Sequence, residues 1–193
     1  MKRGKFIVIY GANNLGKTVQ AKLLVDRLKE NGLDSFYLKY PIYELEPTGP
    51  KINAALRQGI SSSNLELQKL FAQNRRDFEP TLVDKIDRGE WPVTEDYKGT
   101  GIAWGVTYDI RLRKMEEINK ALLREDLAIL LDGERFTLVI ERGHRHEAGS
   151  RWEHAREVHR LLGERYGWEV VNANQSIEKV SNDMWNIVAK RLL

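Results

Sequence analysis

The residues best able to do chemistry in this chain stand in one loop near its N-terminus. Residues 11–18 read GANNLGKT and match the pattern G-x-x-x-x-G-K-[ST] at every fixed position, after the apolar run FIVIY and before a helical stripe of apolar residues. In such a strand–loop–helix unit, backbone N–H groups and the helix dipole bind phosphates, Lys17 reaches the β- and γ-phosphates, and the Thr18 hydroxyl holds Mg²⁺. The loop predicts that a nucleoside triphosphate is bound by Gly11, Ala12, Asn13, Asn14, Leu15, Gly16, Lys17 and Thr18.

Composition narrows the class of protein. The 193 residues suit one domain, and 41% apolar with 31% charged residues is typical of a globular chain. The absence of cysteine excludes disulfides and thiolate metal sites. We expect a cytoplasmic protein, because no signal peptide or membrane-length apolar run is present. A net charge of +3 is small enough to arise from a nucleotide pocket, so neither a nucleic acid nor a membrane is predicted as a partner.

The elements that must position this loop alternate between strands and helices. We predict strands at 6–10, 35–40, 91–95, 127–132 and 168–172 from their apolar runs. Helices are predicted at 16–30, 48–56, 64–87, 109–124, 135–141, 151–166 and 177–192. This alternation predicts a three-layer α/β fold of the P-loop NTPase class, with a five-stranded parallel sheet flanked by helices.

Further motifs follow the loop in a fixed order. They are LKYP at 38–41, LFAQNRR at 70–76, EDYKGTGIAW at 95–104 and an arginine-bearing stretch at 141–151. Together with the loop, these motifs resemble the thymidylate kinase family of nucleoside-monophosphate kinases, over residues 5 to about 192. The resemblance implies ATP-dependent phosphorylation of a deoxypyrimidine monophosphate, most simply dTMP to dTDP, with Mg²⁺ as cofactor and a homodimer as the assembly.

On the acceptor side, the resemblance assigns three residues. Lys39 corresponds to the basic residue that grips the acceptor phosphate, and a strand's carboxyl end does line the ligand crevice of a parallel sheet. Phe71 corresponds to the residue that stacks on the base, and Arg75 to the one that bonds the base edge. Phe71 and Arg75 are four apart on a predicted helix and therefore share a face.

The EDYKGTGIAW motif carries the family's other expected roles and its largest departure. Glu95 takes the place of an aspartate that works close to the metal and the phosphates, so it is expected to be a catalytic and metal-holding residue. Gly101 and Trp104 match positions that shape the deoxyribose pocket, and Asn13 stands where an aspartate contacts the acceptor sugar. Asp96 replaces an arginine that holds the acceptor phosphate, and a carboxylate there repels an anion.

Two further segments complete the expected site. Some family members carry an arginine at the position of Asn14, and the others use arginines from a lid. Here the expected lid, about residues 141–151, supplies three candidate catalytic arginines: Arg142, Arg145 and Arg151. The resemblance also places the adenine of ATP beside the turn formed by Asn172, Ala173 and Asn174.

Two alternatives remain open. A deoxynucleoside kinase would need no arginine at position 96, and it would use Glu44, Glu95 or Asp96 as base for a 5′-hydroxyl. A non-catalytic nucleotide-binding regulator would explain the altered EDY motif but has no need of three lid arginines. A comparison of dTMP with thymidine as acceptor separates the two kinases.

Overall fold

Five strands form one sheet in this computed structural model, which describes residues 2–57, 63–136 and 151–193. The strands are β1 (Ile7–Tyr10), β2 (Ser35–Lys39), β3 (Trp91–Glu95), β4 (Leu127–Asp132) and β5 (Glu169–Asn172). All neighbours are parallel, in the order β2-β3-β1-β4-β5. The described helices are α1 (Lys17–Glu30), α2 (Thr48–Arg57), α3 (Asn64–Asp87), α4 (Lys98–Thr107), α5 (Leu112–Asn119), α6 (Arg151–Tyr166) and α7 (Ile177–Leu192).

Helices cover both faces of the sheet. In β1, Ile7 and Ile9 pack in a core with α1 and α7, while Val8 and Tyr10 pack with α3, α4 and α6 on the other side. All four side chains are fully buried. A strand buried on both faces must be apolar throughout, which is why the run FIVIY was readable as a central strand. The three-layer α/β prediction is confirmed.

The strand order places the crevice. After β1, the chain crosses to the edge strand β2 and returns to β3, whereas β4 pairs on the other side of β1. The carboxyl ends of parallel strands on the two sides of such a reversal open a ligand crevice. The phosphate loop after β1, Lys39 on β2, and Glu95 and Asp96 at the end of β3 all lie at this edge.

The prediction of one helix at 109–124 was wrong in both the start and the extent of the helix. The structure has α4 over residues 98–107, then a turn at Asp109 with φ +64, and then the shorter α5. Three glycines in α4 concealed it, because glycine is a poor helix former. Packing explains Gly105, whose added Cβ would lie 2.4 Å from Met115 Sδ of α5. Tertiary contact therefore overrides local propensity here.

The remaining helix and strand boundaries agree with prediction to within one or two residues, apart from the helix predicted at 135–141. Arg135 and Phe136 are not helical, and residues 137–141 lie outside the described residues. Among the helices described, none is both long and apolar enough to cross a membrane.

One buried amide connects the segment after β2 to α3. Asn74 accepts a hydrogen bond from the backbone N–H of Ile42 at 2.8 Å and donates to the Ile42 carbonyl at 3.0 Å. It also donates to the Thr48 hydroxyl at the start of α2, at 2.9 Å. Asn74 is fully buried, so these bonds form away from water. They hold the segment after β2 and the start of α2 against α3.

Candidate active site

The phosphate loop has the backbone that its glycines permit. Gly11 has φ +142, and a Cβ there would lie 2.5 Å from the Leu131 carbonyl oxygen, so only glycine fits. Gly16 has φ +78 and directly precedes α1. Lys17, which is 5% exposed, donates to the carbonyls of Gly11 at 3.0 Å and of Ala12 at 2.9 Å. The loop thus surrounds a buried ammonium next to the N-terminus of a helix, where anions bind favourably.

A network of charges lies beside this ammonium. The Glu95 carboxylate accepts hydrogen bonds from the Thr18 hydroxyl at 2.6 Å and the Tyr37 hydroxyl at 2.8 Å, and it pairs with Lys39 Nζ at 3.0 Å. Burial alone would raise the pKa of Glu95, but the ammonium groups of Lys17 and Lys39 together with the Thr18 hydrogen bond hold it below its usual value. Glu95 is therefore an anion at neutral pH.

Asp96 meets the same ammonium from the next position. Its Oδ1 lies 3.7 Å from Lys17 Nζ and accepts a hydrogen bond from the Thr100 hydroxyl at 3.0 Å. Its backbone has φ +61, a conformation that Asp and Asn tolerate better than most residues. Burial raises the pKa of Asp96, and the neighbouring Glu95 adds to that rise, although Lys17 opposes it. A carboxylate thus occupies the space next to the cation that a phosphate would contact.

Thr18 and Glu95 fit a magnesium ion by their chemistry. A hydroxyl and an ionised carboxylate are oxygen ligands, and Mg²⁺ is usually held by one or two protein oxygens together with phosphates and water. The 2.6 Å hydrogen bond between these two side chains shows that they reach one point. In the described part of the chain, no group of three or more His, Asp or Glu side chains forms an alternative metal site.

A cleft of about 660 Å³ extends from the phosphate loop to α3 and α4. Phe71 and Arg75 line it from α3, and Gly101 and Trp104 line it from α4. Arg75 is 4% exposed, and burial lowers the pKa of its guanidinium. The structure thus brings together, around one cleft, the predicted residues Asn13, Asn14, Gly16, Lys17, Thr18, Lys39, Phe71, Arg75, Glu95, Gly101 and Trp104.

Gly101 has a contact that the sequence did not indicate. A Cβ at this position would lie 2.8 Å from Arg75 Nη1 and 3.0 Å from Nη2. The missing side chain therefore leaves room for the guanidinium, which also donates to Asn119 Oδ1 at 3.4 Å. Gly101 contributes to the cleft by allowing Arg75 its position.

Ala12 and Leu15 of the phosphate loop are buried and pack in the core with α1 and α7. They stand in the loop predicted for the triphosphate, where the backbone rather than the side chain is available to a ligand.

The turn after β5 lies at the neighbouring strand end. Asn174 donates to the Glu134 carbonyl at 3.0 Å and accepts from the Glu134 backbone N–H. Its own N–H donates to Asn172 Oδ1 at 2.9 Å, and the Ala173 side chain is buried. The three residues predicted for adenine therefore form a hydrogen-bonded turn beside the end of β4.

Of the three predicted lid arginines, only Arg151 lies among the described residues. Arg142 and Arg145 lie outside the described residues. Arg151 begins α6, and its guanidinium lies over the Tyr108 ring, 5.2 Å from the centroid, so the structure does not bring it to the cleft. The next residue, Trp152, donates its indole N–H to the Asn13 carbonyl at 2.7 Å. The start of α6 is thereby connected to the phosphate loop.

Several residues of the site escaped the sequence analysis, Tyr37 and Gln68 among them. Tyr37 donates a hydrogen bond to Glu95. The sequence held a signal for this, because Tyr37 and Lys39 are two residues apart on β2 and so lie on the same face of the sheet. Gln68 lines the cleft from α3, 1% exposed. It lies one helical turn before Phe71, but an ordinary glutamine carries no sequence signal.

Comparison with known proteins agrees with this geometry. A sequence model of the thymidylate kinase family matches residues 9–184. The thymidylate kinase of Homo sapiens is 27% identical over 190 residues, covering 95% of this chain and 89% of that protein. The thymidylate kinase of Dictyostelium discoideum is 24% identical over 191 residues, covering 97% and 86%. The solved structure of thymidylate kinase from Candida albicans matches with a TM-score of 0.83 at 20% identity, covering 97% of this chain and 92% of that one, a likeness of fold.

Proposed function

The chain belongs to the thymidylate kinase family of nucleoside-monophosphate kinases, and on that premise we propose that it transfers the γ-phosphoryl group of ATP to dTMP, giving dTDP and ADP. One observation carries the proposal. The phosphate loop with Lys17 opens into the same cleft that Phe71 and Arg75 line. The γ-phosphate of a triphosphate on the loop would therefore face the phosphate of a nucleotide whose base lies on α3.

The residues of the cleft suit phosphoryl transfer, which needs positioning and neutralisation of charge rather than a covalent intermediate. The loop N–H groups and Lys17 bind the donor phosphates. Thr18 and Glu95 would hold Mg²⁺, and the bound ion would neutralise part of the triphosphate charge. Lys39, at the end of β2, contacts the acceptor phosphate after leaving its 3.0 Å pair with Glu95. The acceptor phosphate is already an anion, so no general base is required.

The base side of the cleft suits a pyrimidine. Phe71 offers an apolar ring for stacking, and the Arg75 guanidinium offers hydrogen-bond donors that a base carbonyl accepts. Trp104 and Gly101 bound the space between the base and the sugar, and Asn13 supplies an amide for the sugar hydroxyl. These roles rest on the family resemblance and on the shared cleft.

Several finer assignments remain proposals. The adenine lies beside residues 172–174, and Arg142 and Arg145 act as lid cations. Arg151 would join them only after leaving the Tyr108 ring. The 193 residues form one domain, which is supported by the packing of α1 against α7 from opposite ends of the chain. The homodimer stays a prediction from the resemblance. The relatives named above favour neither a nucleoside kinase nor a non-catalytic regulator.

An acceptor screen tests the proposal. Product formation from ATP and Mg²⁺ is measured with dTMP, dUMP, dCMP and thymidine, using the wild type and Lys17→Met, which keeps the buried stem but removes the ammonium. We expect dTMP to be the best acceptor and Lys17→Met to lose at least about 10²-fold in kcat, since Lys17 acts on the transferring charge. Phosphorylation of thymidine but not dTMP, or normal turnover by Lys17→Met, would overturn the proposal.

A further inference from the structure

Three buried polar atoms in the cleft have no hydrogen-bond partner among the described residues. Gln68 Oε1, the Tyr40 hydroxyl and Arg75 Nε lack any hydrogen bond within the residues that the structure describes, and all three side chains line the cleft. Buried polar groups in proteins are nearly always hydrogen-bonded. Unpaired ones that face a ligand cleft are positioned to take their partner from a bound ligand or from water.

The three atoms differ in what they can recognise. Arg75 Nε is only a donor, and Gln68 Oε1 is only an acceptor. The Tyr40 hydroxyl rotates and serves as either, so it cannot discriminate between ligands. Arg75 thus presents a donor of fixed kind, and Gln68 presents its amide oxygen as the buried acceptor.

Their placement on α3 sets these two groups around the stacking residue. Gln68 and Arg75 are seven positions apart, so they lie within about 20° of each other around the helix axis. Phe71 lies between them along the axis, on the neighbouring part of the same face. A base stacked on Phe71 would have the guanidinium towards one end of its edge and the amide oxygen towards the other.

Pyrimidine bases fall into two classes on such an edge. Thymine and uracil present the O4 acceptor next to the N3–H donor. Cytosine presents the reverse, the N4 amino donor next to the N3 acceptor. Arg75 therefore matches O4, and an acceptor beside it matches N3–H. With cytosine, two donors would meet at Arg75, and Gln68 would have to turn its amide over to avoid a contact between two acceptors.

We infer that Gln68 is a specificity-determining residue of this kinase, whose Oε1 accepts the N3–H of a thymine or uracil base while Arg75 donates to O4. The inference rests on the proposed function, because it concerns the base of the proposed acceptor. Gln68 would be a second residue that recognises the base edge, on the same helix as Phe71 and Arg75. A site with buried groups aimed at a substrate rejects analogues that leave those groups unpaired.

The test changes the amide and the base edge independently. Gln68→Met keeps the length and unbranched shape of the side chain but removes the oxygen. The acceptors are dTMP and 5-methyl-dCMP, which share shape and methyl group and differ only in the N3–N4 edge. Gln73→Met is the matched control, because Gln73 lies on the same helix but is exposed and bonds Asp77 at 2.6 Å.

We expect kcat/KM for dTMP to fall about tenfold or more in Gln68→Met, and the preference for dTMP over 5-methyl-dCMP to fall by a similar factor, as for loss of one buried hydrogen bond. Gln73→Met should match the wild type. An unchanged preference in Gln68→Met would overturn the inference, whether both acceptors lose equally or neither does.

A binding readout without ATP separates this inference from the proposed function. Gln68→Met should melt at the same temperature as the wild type or higher, because its unpaired buried oxygen is gone, while dTMP should raise its melting temperature less. A lower melting temperature of the free variant would mean that the amide serves the fold, which overturns the inference. If the wild type binds dTMP selectively but transfers no phosphoryl group, the proposed function fails and the reading of the base stands.

Discussion

Asp96→Asn is expected to tighten the binding of both phosphate-bearing substrates. The Asp96 carboxylate lies 3.7 Å from Lys17 Nζ, the cation that a triphosphate must engage. At an effective dielectric constant of about 20, a unit negative charge repels a second one about 8 Å away by about 2 kcal/mol. Removal of that repulsion corresponds to roughly 30-fold in affinity, and partial screening by solvent leaves tenfold as the expected gain.

Asparagine changes little except the charge. It tolerates the left-handed backbone, φ +61, that Asp96 adopts. Its amide oxygen accepts the hydrogen bond that Thr100 donates at 3.0 Å. Because burial already raises the pKa of Asp96, the charged form is costly there, and its loss should not lower the free energy of unfolding.

Calorimetric titration of dTMP, and separately of a non-hydrolysable ATP analogue, into each protein measures the gain. Asp109→Asn is the control, since Asp109 also has a left-handed backbone, φ +64, but is exposed and does not line the cleft. Weaker or unchanged binding in Asp96→Asn would refute the reasoning. It would mean that the carboxylate holds Lys17 in its productive position or contacts the substrate itself.

Two further predictions address the cleft and the core. Gly101→Ala adds a Cβ 2.8 Å from Arg75 Nη1 and so must displace the guanidinium. We expect KM for dTMP to rise about tenfold with little change in KM for ATP. Equal changes in both KM values would contradict the assignment of Arg75 to the base. Burial lowers the pKa of His159 to about 4. Between pH 6.5 and 4, His159 is therefore protonated in the unfolded chain but neutral in the folded chain. The free energy of unfolding should fall by about 3 kcal/mol over that range, and urea titrations of His159→Gln should lack this loss; parallel pH profiles would disprove it.

The local sequence was sufficient for the phosphate loop and for the elements around it. A run such as FIVIY is apolar because β1 is covered on both faces, and α7 has the predicted limits because a capping Ser176 and a helical stripe are local signals. The loop needs Gly11 and Gly16 for its backbone, so its pattern survives in the sequence. Such features depend on residues within one or two turns of each other.

Tertiary structure decided what depends on distant residues. The three glycines of α4 concealed a helix from sequence analysis, because each is required by a distant side chain: Trp168 for Gly99, Arg75 for Gly101 and Met115 for Gly105. No spacing shows that Asp96 would meet Lys17, or that the oxygen of Gln68 would lie buried and unpaired in the cleft. The packing of α3 and α4 against the sheet decides which side chains come into contact, and that packing cannot be derived from a single sequence.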